Sequence, residues 1–192
     1  MRIVAINGSP KTGEGVSAML IDHIERTIQT EVTVFHAGKM SKQEDLTQEL
    51  NTIRDANRLL IVFPLYVDSL PAPLIEMFCR IEKSGIFGSE SSPKVYALCN
   101  CGFYEAEHTS LALQMVERFA CRVGLDWGYG LGIGSGGMLP QQAENMARGP
   151  LAKVNTALSE FCDDIAASST SKQNVLVTPT FPRFLSSTIK LF

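Results

Sequence analysis

Between Asn7 and Ser17 the chain gathers the groups from which a protein builds an anion cradle. Gly8, Gly13 and Gly15 let a backbone turn tightly, and Ser9, Thr12 and Ser17 add hydroxyl donors. The apolar, β-prone run Arg2-Ile3-Val4-Ala5-Ile6 precedes this segment, and helical spacing begins after it. In a strand–loop–helix unit the loop amides and the first helical N–H groups have no backbone partner, so they point at whatever lies in front of the helix. The chemistry offered is binding of a phosphate.

Known phosphate loops narrow the choice. A Walker loop requires Lys and Ser/Thr directly after its second glycine; counting from Gly8, those places hold Glu14 and Gly15, and a carboxylate there repels a triphosphate. A dinucleotide fingerprint forced onto 13–18 starts too far past Ile6, and the next strand runs into His36-Ala37-Gly38 with no acid at its end. A second match, 132–137, falls on the fifth strand instead of the first. A phosphatase loop needs Arg at a fixed spacing after Cys, and Cys79, Cys99, Cys101, Cys121 and Cys162 all lack it. What remains is a loop of hydroxyls and amides whose one cation is Lys11. It suits a monophosphate held by a helix dipole and hydrogen bonds, such as that of FMN. The alternative is an ordinary βα turn that contains Gly and Ser.

Two more segments carry the residue types of a flavin site. Pro64-Leu65-Tyr66-Val67-Asp68-Ser69-Leu70-Pro71-Ala72-Pro73 is stiffened by its prolines and has Leu65 and Tyr66 at its start. An isoalloxazine ring needs flat apolar or aromatic cover and backbone groups for its polar edge. Asn100-Cys101-Gly102-Phe103-Tyr104-Glu105 offers close backbone approach at Gly102 and a second wall in Phe103 and Tyr104. Cys99 and Cys101 would share a strand face, and a disulfide between such near neighbours is strained. No cysteine set has zinc or cluster spacing, and His23, His36 and His108 are scattered.

These segments need elements to hold them. Strands are expected at 2–6, 31–35, 59–63, 94–99 and 127–133, with helices after the first loop and around 46–56, 74–81, 111–123 and 151–165. The run Leu59-Leu60-Ile61-Val62-Phe63 is apolar throughout, as in a parallel strand covered on both faces. Five alternations of strand and helix predict an α/β doubly wound parallel sheet in a three-layer sandwich, order 2-1-3-4-5. Ligands of such sheets bind beyond the carboxyl ends of the strands, at the switch between strands 1 and 3, which selects the loops after Ile6, Phe63 and Cys99. The expected division is a binding domain over 1–165, then a linker and an apolar, basic tail over 166–192. That tail either packs on the body or on a partner, or stays disordered.

Composition sets limits on function. A length of 192 residues suffices for one α/β domain, and a formal net charge of -3 gives no electrostatic case for nucleic acid. No apolar run reaches membrane-span length. The short apolar stretch after Arg2 does not read as a signal peptide, and five cysteines without secreted-scaffold spacing suggest reduced thiols and a cytoplasmic location.

With Gly8-Ser9-Pro10-Lys11 and Ser17, Pro64-Leu65-Tyr66 followed by Leu70-Pro71-Ala72-Pro73-Leu74, and the Gly102 loop, the chain resembles the flavodoxin-like NAD(P)H-dependent FMN reductase family. The match in architecture spans about residues 1–165. The resemblance implies non-covalent FMN, with its phosphate in the first loop and its ring between the second and third. It also implies NAD(P)H as co-substrate, a small acceptor such as a quinone or flavin, and a homodimer or dimer of dimers whose sites are finished by the partner. The expected cofactor contacts are Ser9, Pro10, Lys11, Gly15, Val16 and Ser17 for the phosphate. Pro64, Leu65, Tyr66, Val67, Asn100, Cys101, Gly102, Phe103 and Tyr104 are those for the ring. The flavin carries the chemistry, so no side chain is assigned as a catalytic acid or base. Lys11 stands where the family pattern places Arg, which removes a bidentate phosphate contact. No cysteine precedes Cys79, so the cluster motif of related iron–sulfur flavoproteins is missing. A flavodoxin-type electron carrier and a flavin-free binding protein of the same fold are the alternative functions.

Overall fold

The computed structural model describes residues 1–11, 15–87, 92–140, 146–171 and 173–180. Its strands are β1 (Ile3–Asn7), β2 (Val32–His36), β3 (Arg58–Pro64), β4 (Lys94–Asn100), β5 (Trp127–Ile133) and β6 (Val175–Val177). Its helices are α1 (Val16–Ile28), α2 (Ala37–Met40), α3 (Thr47–Arg54), α4 (Ala72–Ser84), α5 (Ser110–Arg122) and α6 (Ala152–Ala167). All strands are parallel, in one sheet ordered β2-β1-β3-β4-β5-β6.

Side chains alternate across the sheet and feed two cores. Val4, Ile6, Leu59, Ile61 and Phe63 meet α2, α3, α4 and α5 on one face. Ile3, Ala5, Leu60, Val62 and Leu98 meet α1 and α6 on the other. A continuous apolar run is what a strand buried on both faces needs, and β3 is buried from Leu59 to Phe63. Proline sits within the first two positions of α4, where its missing N–H costs no bond, and Gly85 ends that helix at φ 59°.

The expectation of five strands is corrected by the sixth. The chain leaves β5, crosses the face in α6 and returns parallel as β6, with Leu131 opposite Val175 and Ile133 opposite Val177. A strand of three residues is too short to show a period in the sequence, and it follows a polar stretch that hides it. Residues 168–171 are bonded to the sheet: Lys94 Nζ donates to the Ser168 carbonyl at 2.9 Å, and Tyr96 Oη donates to the Ser169 carbonyl at 2.6 Å. Residues 181–192, where much of the expected tail falls, lie outside the described residues.

The glycines of β5 admit this packing. A Cβ at Gly130 would meet the Leu113 side chain of α5 at 2.7 Å and Asn174 Oδ1 at 3.1 Å. One at Gly132 would collide with Thr109 and stand 2.7 Å from Leu176 of β6. On the face towards α5 the strand carries no side chain at 130 and 132, so its neighbours approach the backbone directly, while Tyr129, Leu131 and Ile133 stay in the core on the other face.

Buried thiols make the fold sensitive to alkali. Burial pushes Cys101 and Cys162 up to about 11 from an ordinary value of 9.0, and raises Cys99 well above it. Below pH 9 these thiols are protonated in both states and their contribution is fully present. Between pH 9 and 11 the unfolded chain ionises first, so stability is lost as pH rises. The expected loss by pH 10 is on the order of 1 kcal/mol for each of Cys101 and Cys162. Urea unfolding at pH 7.5 and pH 10 measures it, and equal midpoints would refute it.

Candidate functional site

The site begins where β1 stops. The Asn7 side chain is buried, and its Oδ1 accepts from the Ser9 amide at 2.9 Å, turning the chain away from the strand. The Gly8 amide donates to the Val62 carbonyl at 2.8 Å, which pins the loop to β3. Only glycine fits there, because a Cβ would stand 2.9 Å from both Phe63 and Leu74. Ser9 Oγ then accepts from the Lys11 amide at 3.3 Å.

The loop enters α1 through Gly15, whose extended backbone is the N-cap and brings no capping side chain. The first helical amides are left to other acceptors. Ser17 is 2% exposed, and its Oγ is buried with no hydrogen-bond partner among the described residues. Leaving a buried hydroxyl unpaired costs about 1–3 kcal/mol. A phosphate oxygen at the N-terminus of α1 would satisfy Ser17 and the amides together.

A cavity of about 270 Å³ opens at this point. From the first loop and α1 it is lined by Ser9, Lys11, Gly15, Val16 and Ser17. Pro64, Tyr66 and Asn100 line it from the ends of β3 and β4. Gly137 and Pro140 are the other described residues of the wall. The structure therefore draws eight of the expected contact residues into one cavity. Pro10, Leu65, Val67, Cys101, Gly102, Phe103 and Tyr104 lie outside its lining. Gly137 and Pro140 were not expected. Their signal was the glycine run after Ile133, which sequence reasoning tested only as a dinucleotide fingerprint.

The three loops on the β3–β5 side are stitched together by backbone. The Leu65 amide donates to the Asn100 carbonyl at 2.8 Å, the Cys101 amide to Ile133 at 2.9 Å, and the Gly136 amide to Cys101 at 2.7 Å. Asn100 is 5% exposed, and its Nδ2 donates to the Phe63 carbonyl at 3.3 Å. Cys101 turns into the core, where its thiol bonds the carbonyls of Glu105 at 3.5 Å and Phe103 at 3.6 Å. Burial raises its pKa, and the carboxylates of Glu107 and Asp68 push the same way. Cys101 is a protonated brace at neutral pH.

Tyr66 and Ser69 exchange backbone bonds of 3.1 and 3.0 Å around Val67 and Asp68, closing a two-residue hairpin. Both central residues are left-handed, at φ 48° and 56°. Such a turn prefers Asn-Gly, and a β-branched residue at positive φ is strained. Val67 is 96% exposed at the tip. Across the mouth, the Phe103 and His108 rings pack with centroids 4.4 Å apart, and His108 Nδ1 stands 4.0 Å from Asp68 Oδ1. Tyr66, which lines the cavity, is half-exposed and offers an aromatic face there, while the half-exposed Phe103 packs on His108 outside the lining. Among the described residues no group of His, Cys, Asp and Glu could hold a metal ion, and no helix is long and apolar enough to cross a membrane.

Comparison with known proteins agrees with this architecture. No family model matches the chain, and no curated protein does. Solved structures do. An apo NADH:FMN oxidoreductase (EMOB) superposes with a TM-score of 0.65 at 16% identity, over 89% of this chain and 91% of that one. An NAD(P)H:quinone oxidoreductase from Methanothermobacter marburgensis gives 0.62 at 18% identity, over 85% and 96%. A flavodoxin from the domain Archaea gives 0.55 at 11% identity, over 88% and 98%. At these identities the likeness speaks for the backbone and its topology: the chain has the flavodoxin-like fold.

Proposed function

We propose that the chain is an FMN-dependent NAD(P)H oxidoreductase acting on a small acceptor such as a quinone or flavin. The observation that carries the reading is Ser17. Its unpartnered, buried hydroxyl lies at an uncapped helix N-terminus and lines the cavity that reaches Tyr66 and Asn100. Ser9, Ser17 and the loop amides would hold the phosphate, with Lys11 as the cation. Tyr66, Asn100 and the backbone at Gly137 would frame the ring, with Phe103 at the outer rim.

The chemistry that bound FMN supplies is acceptance of hydride from NAD(P)H and its delivery to the acceptor. The chain's own part would be positioning: the first loop would hold the phosphate end of the ligand, and the stitched loops after β3, β4 and β5 would hold a rigid wall against the ring. The nearby thiols take no part, since Cys101 and Cys99 stay protonated.

The test is an absorbance spectrum of the purified protein with FMN, followed by anaerobic addition of NADH or NADPH. Bleaching within the mixing time of a stopped-flow instrument supports the enzyme. Bound flavin that nicotinamides leave oxidised supports the carrier, and failure to bind flavin supports a binding protein. Tyr66→Ala should shift the bound-flavin spectrum or its reduction potential; if both stay unchanged, Tyr66 does not border the ring.

The cavity is small beside typical ligand pockets of roughly 300–1,000 Å³ and needs cover. Tyr66, Val67, Ile75, Phe103 and Leu111 expose apolar surface on α4, α5 and the loops near them. A two-fold dimer that buries this surface would exclude water from the site. Light scattering should give twice the chain mass at micromolar concentration, and a monomer with firmly bound FMN would end this part of the reading.

A further inference from the structure

The sheet has two edges, and they are built differently. β6 is three residues long, with Pro179 close behind it, so it offers little to a further strand. β2 is five residues long and keeps unbroken register with β1 from Val32 to His36. It has no bulge, proline or lysine to blunt it. Among the described residues nothing pairs with its outer side. Thr33 is exposed, and Val34, the middle residue, is 37% exposed. Beside the edge runs an open groove of about 660 Å³, lined by Thr33, by Gln48, Asn51 and Thr52 of α3, and by Asp55 at that helix's end. The last four recur three, four and seven residues apart, so they form one polar stripe. Glu31 directly precedes β2 and Lys39 follows it, both exposed. Neither has an ion-pair partner among the described residues.

We infer that the outer edge of β2 is an interaction surface for a second copy of this chain, paired antiparallel about a two-fold axis at Val34. A two-fold sets a strand against its own reverse, so Val34 faces Val34, Thr33 faces Phe35 and Val32 faces His36. β-branched side chains meeting at the axis make a favourable cross-strand pair. Glu31 of each copy comes to the end of the other strand, where Lys39 follows, so two unpaired charges of opposite sign find each other twice. A parallel neighbour would set Glu31 beside Glu31, and a foreign strand need bring no charge to either place. The polar stripes of the two copies face one another across the joined edges. Each has amide donors in Gln48 and Asn51 and acceptors in Thr52 and Asp55, so direct or water-bridged hydrogen bonds complete the rim. One short strand and one helix face make a small interface, so this association is weak and adds to the contact proposed across α4 and α5. The inference stands apart from the proposed function, because none of these residues lines the cavity at the first loop.

The test is sedimentation equilibrium from about 1 µM to about 0.2 mM protein, where an association of this class becomes populated. The particle mass should double over that range. Val34→Lys sets like charges face to face at the axis and should abolish the doubling. Glu31→Lys alone, or Lys39→Glu alone, should weaken the association about tenfold, because each repulsive pair occurs twice. The two reversals together should restore it. All three side chains are exposed, so the variants should fold, which melting curves check. The charge reversals decide the matter by themselves if Val34→Lys does not fold. A mass that stays constant, a doubling that survives Val34→Lys, or a double reversal no better than either single one overturns the inference. Failure to bind FMN, read from the absorbance of the same samples, defeats the proposed function alone.

Discussion

Gly134→Ala should destabilise the protein by about 3 kcal/mol or more, an unusually large effect for adding one methyl group. A Cβ at this position would collide with the Tyr104 carbonyl and stand 2.9 Å from the Ala106 amide. Both obstacles are backbone, which cannot rotate away as a side chain can. That backbone is itself tied down, because the Ala106 amide donates to Thr178 Oγ1 at 2.9 Å and the Ser135 amide donates to the Phe103 carbonyl at 2.6 Å. Relief therefore requires moving the loop after β4, the start of α5 and the end of β6 together. Gly137→Ala is the matched control, since nothing lies within 4 Å of the added carbon. Urea melting of the two variants makes the comparison. A Gly134→Ala midpoint equal to that of Gly137→Ala would show that the three loops are not locked together.

Ser9→Asp should weaken FMN binding by about 2–4 kcal/mol, which is roughly 30- to 1,000-fold. The substitution sets a carboxylate beside the proposed phosphate in a loop whose one described cation is Lys11. Ser17→Ala separates ligand binding from folding. Among the described residues its hydroxyl has no partner, so its removal should leave the ligand-free protein as stable as before, or more stable by about 1 kcal/mol. FMN affinity should nevertheless fall, because the phosphate loses a donor. Titration calorimetry and melting without ligand measure the two effects. Unchanged affinity in both variants would place the phosphate elsewhere; a large loss of apo stability in Ser17→Ala would mean that the hydroxyl has a structural partner.

The fold was legible where burial wrote a long pattern. The apolar run 59–63 and the alternation of strands with helices led to the doubly wound sheet, and the glycines of 127–133 did not hide the fifth strand. The sixth strand was illegible because three residues carry no period, and its place beside β5 is set by what α6 leaves uncovered. In the site, the first loop was legible because glycine and hydroxyl residues announce a turn with donors. The wall at Gly137 and Pro140 was not, because its residues are ordinary and only the fold brings them into one cavity with Lys11. The hairpin at Val67 and Asp68 was hidden for a different reason. Its left-handed turn carries neither Asn nor Gly, so the usual signal was missing. Cys101 faces the core because the strand pleat carries one residue past Asn100, which local composition does not reveal.

That hairpin also bears on how this sequence can change over generations. Two adjacent left-handed residues without glycine cost on the order of 1–3 kcal/mol each. Val67→Gly would release part of that strain without disturbing the core, since Val67 is almost wholly exposed. A library selected for heat tolerance alone should therefore drift to glycine or asparagine at position 67. A library selected for turnover should keep valine if the stiff tip helps to hold Tyr66 at the mouth. The codon frequencies at this one position, read after parallel selections, would report what the strain is worth to the protein's work.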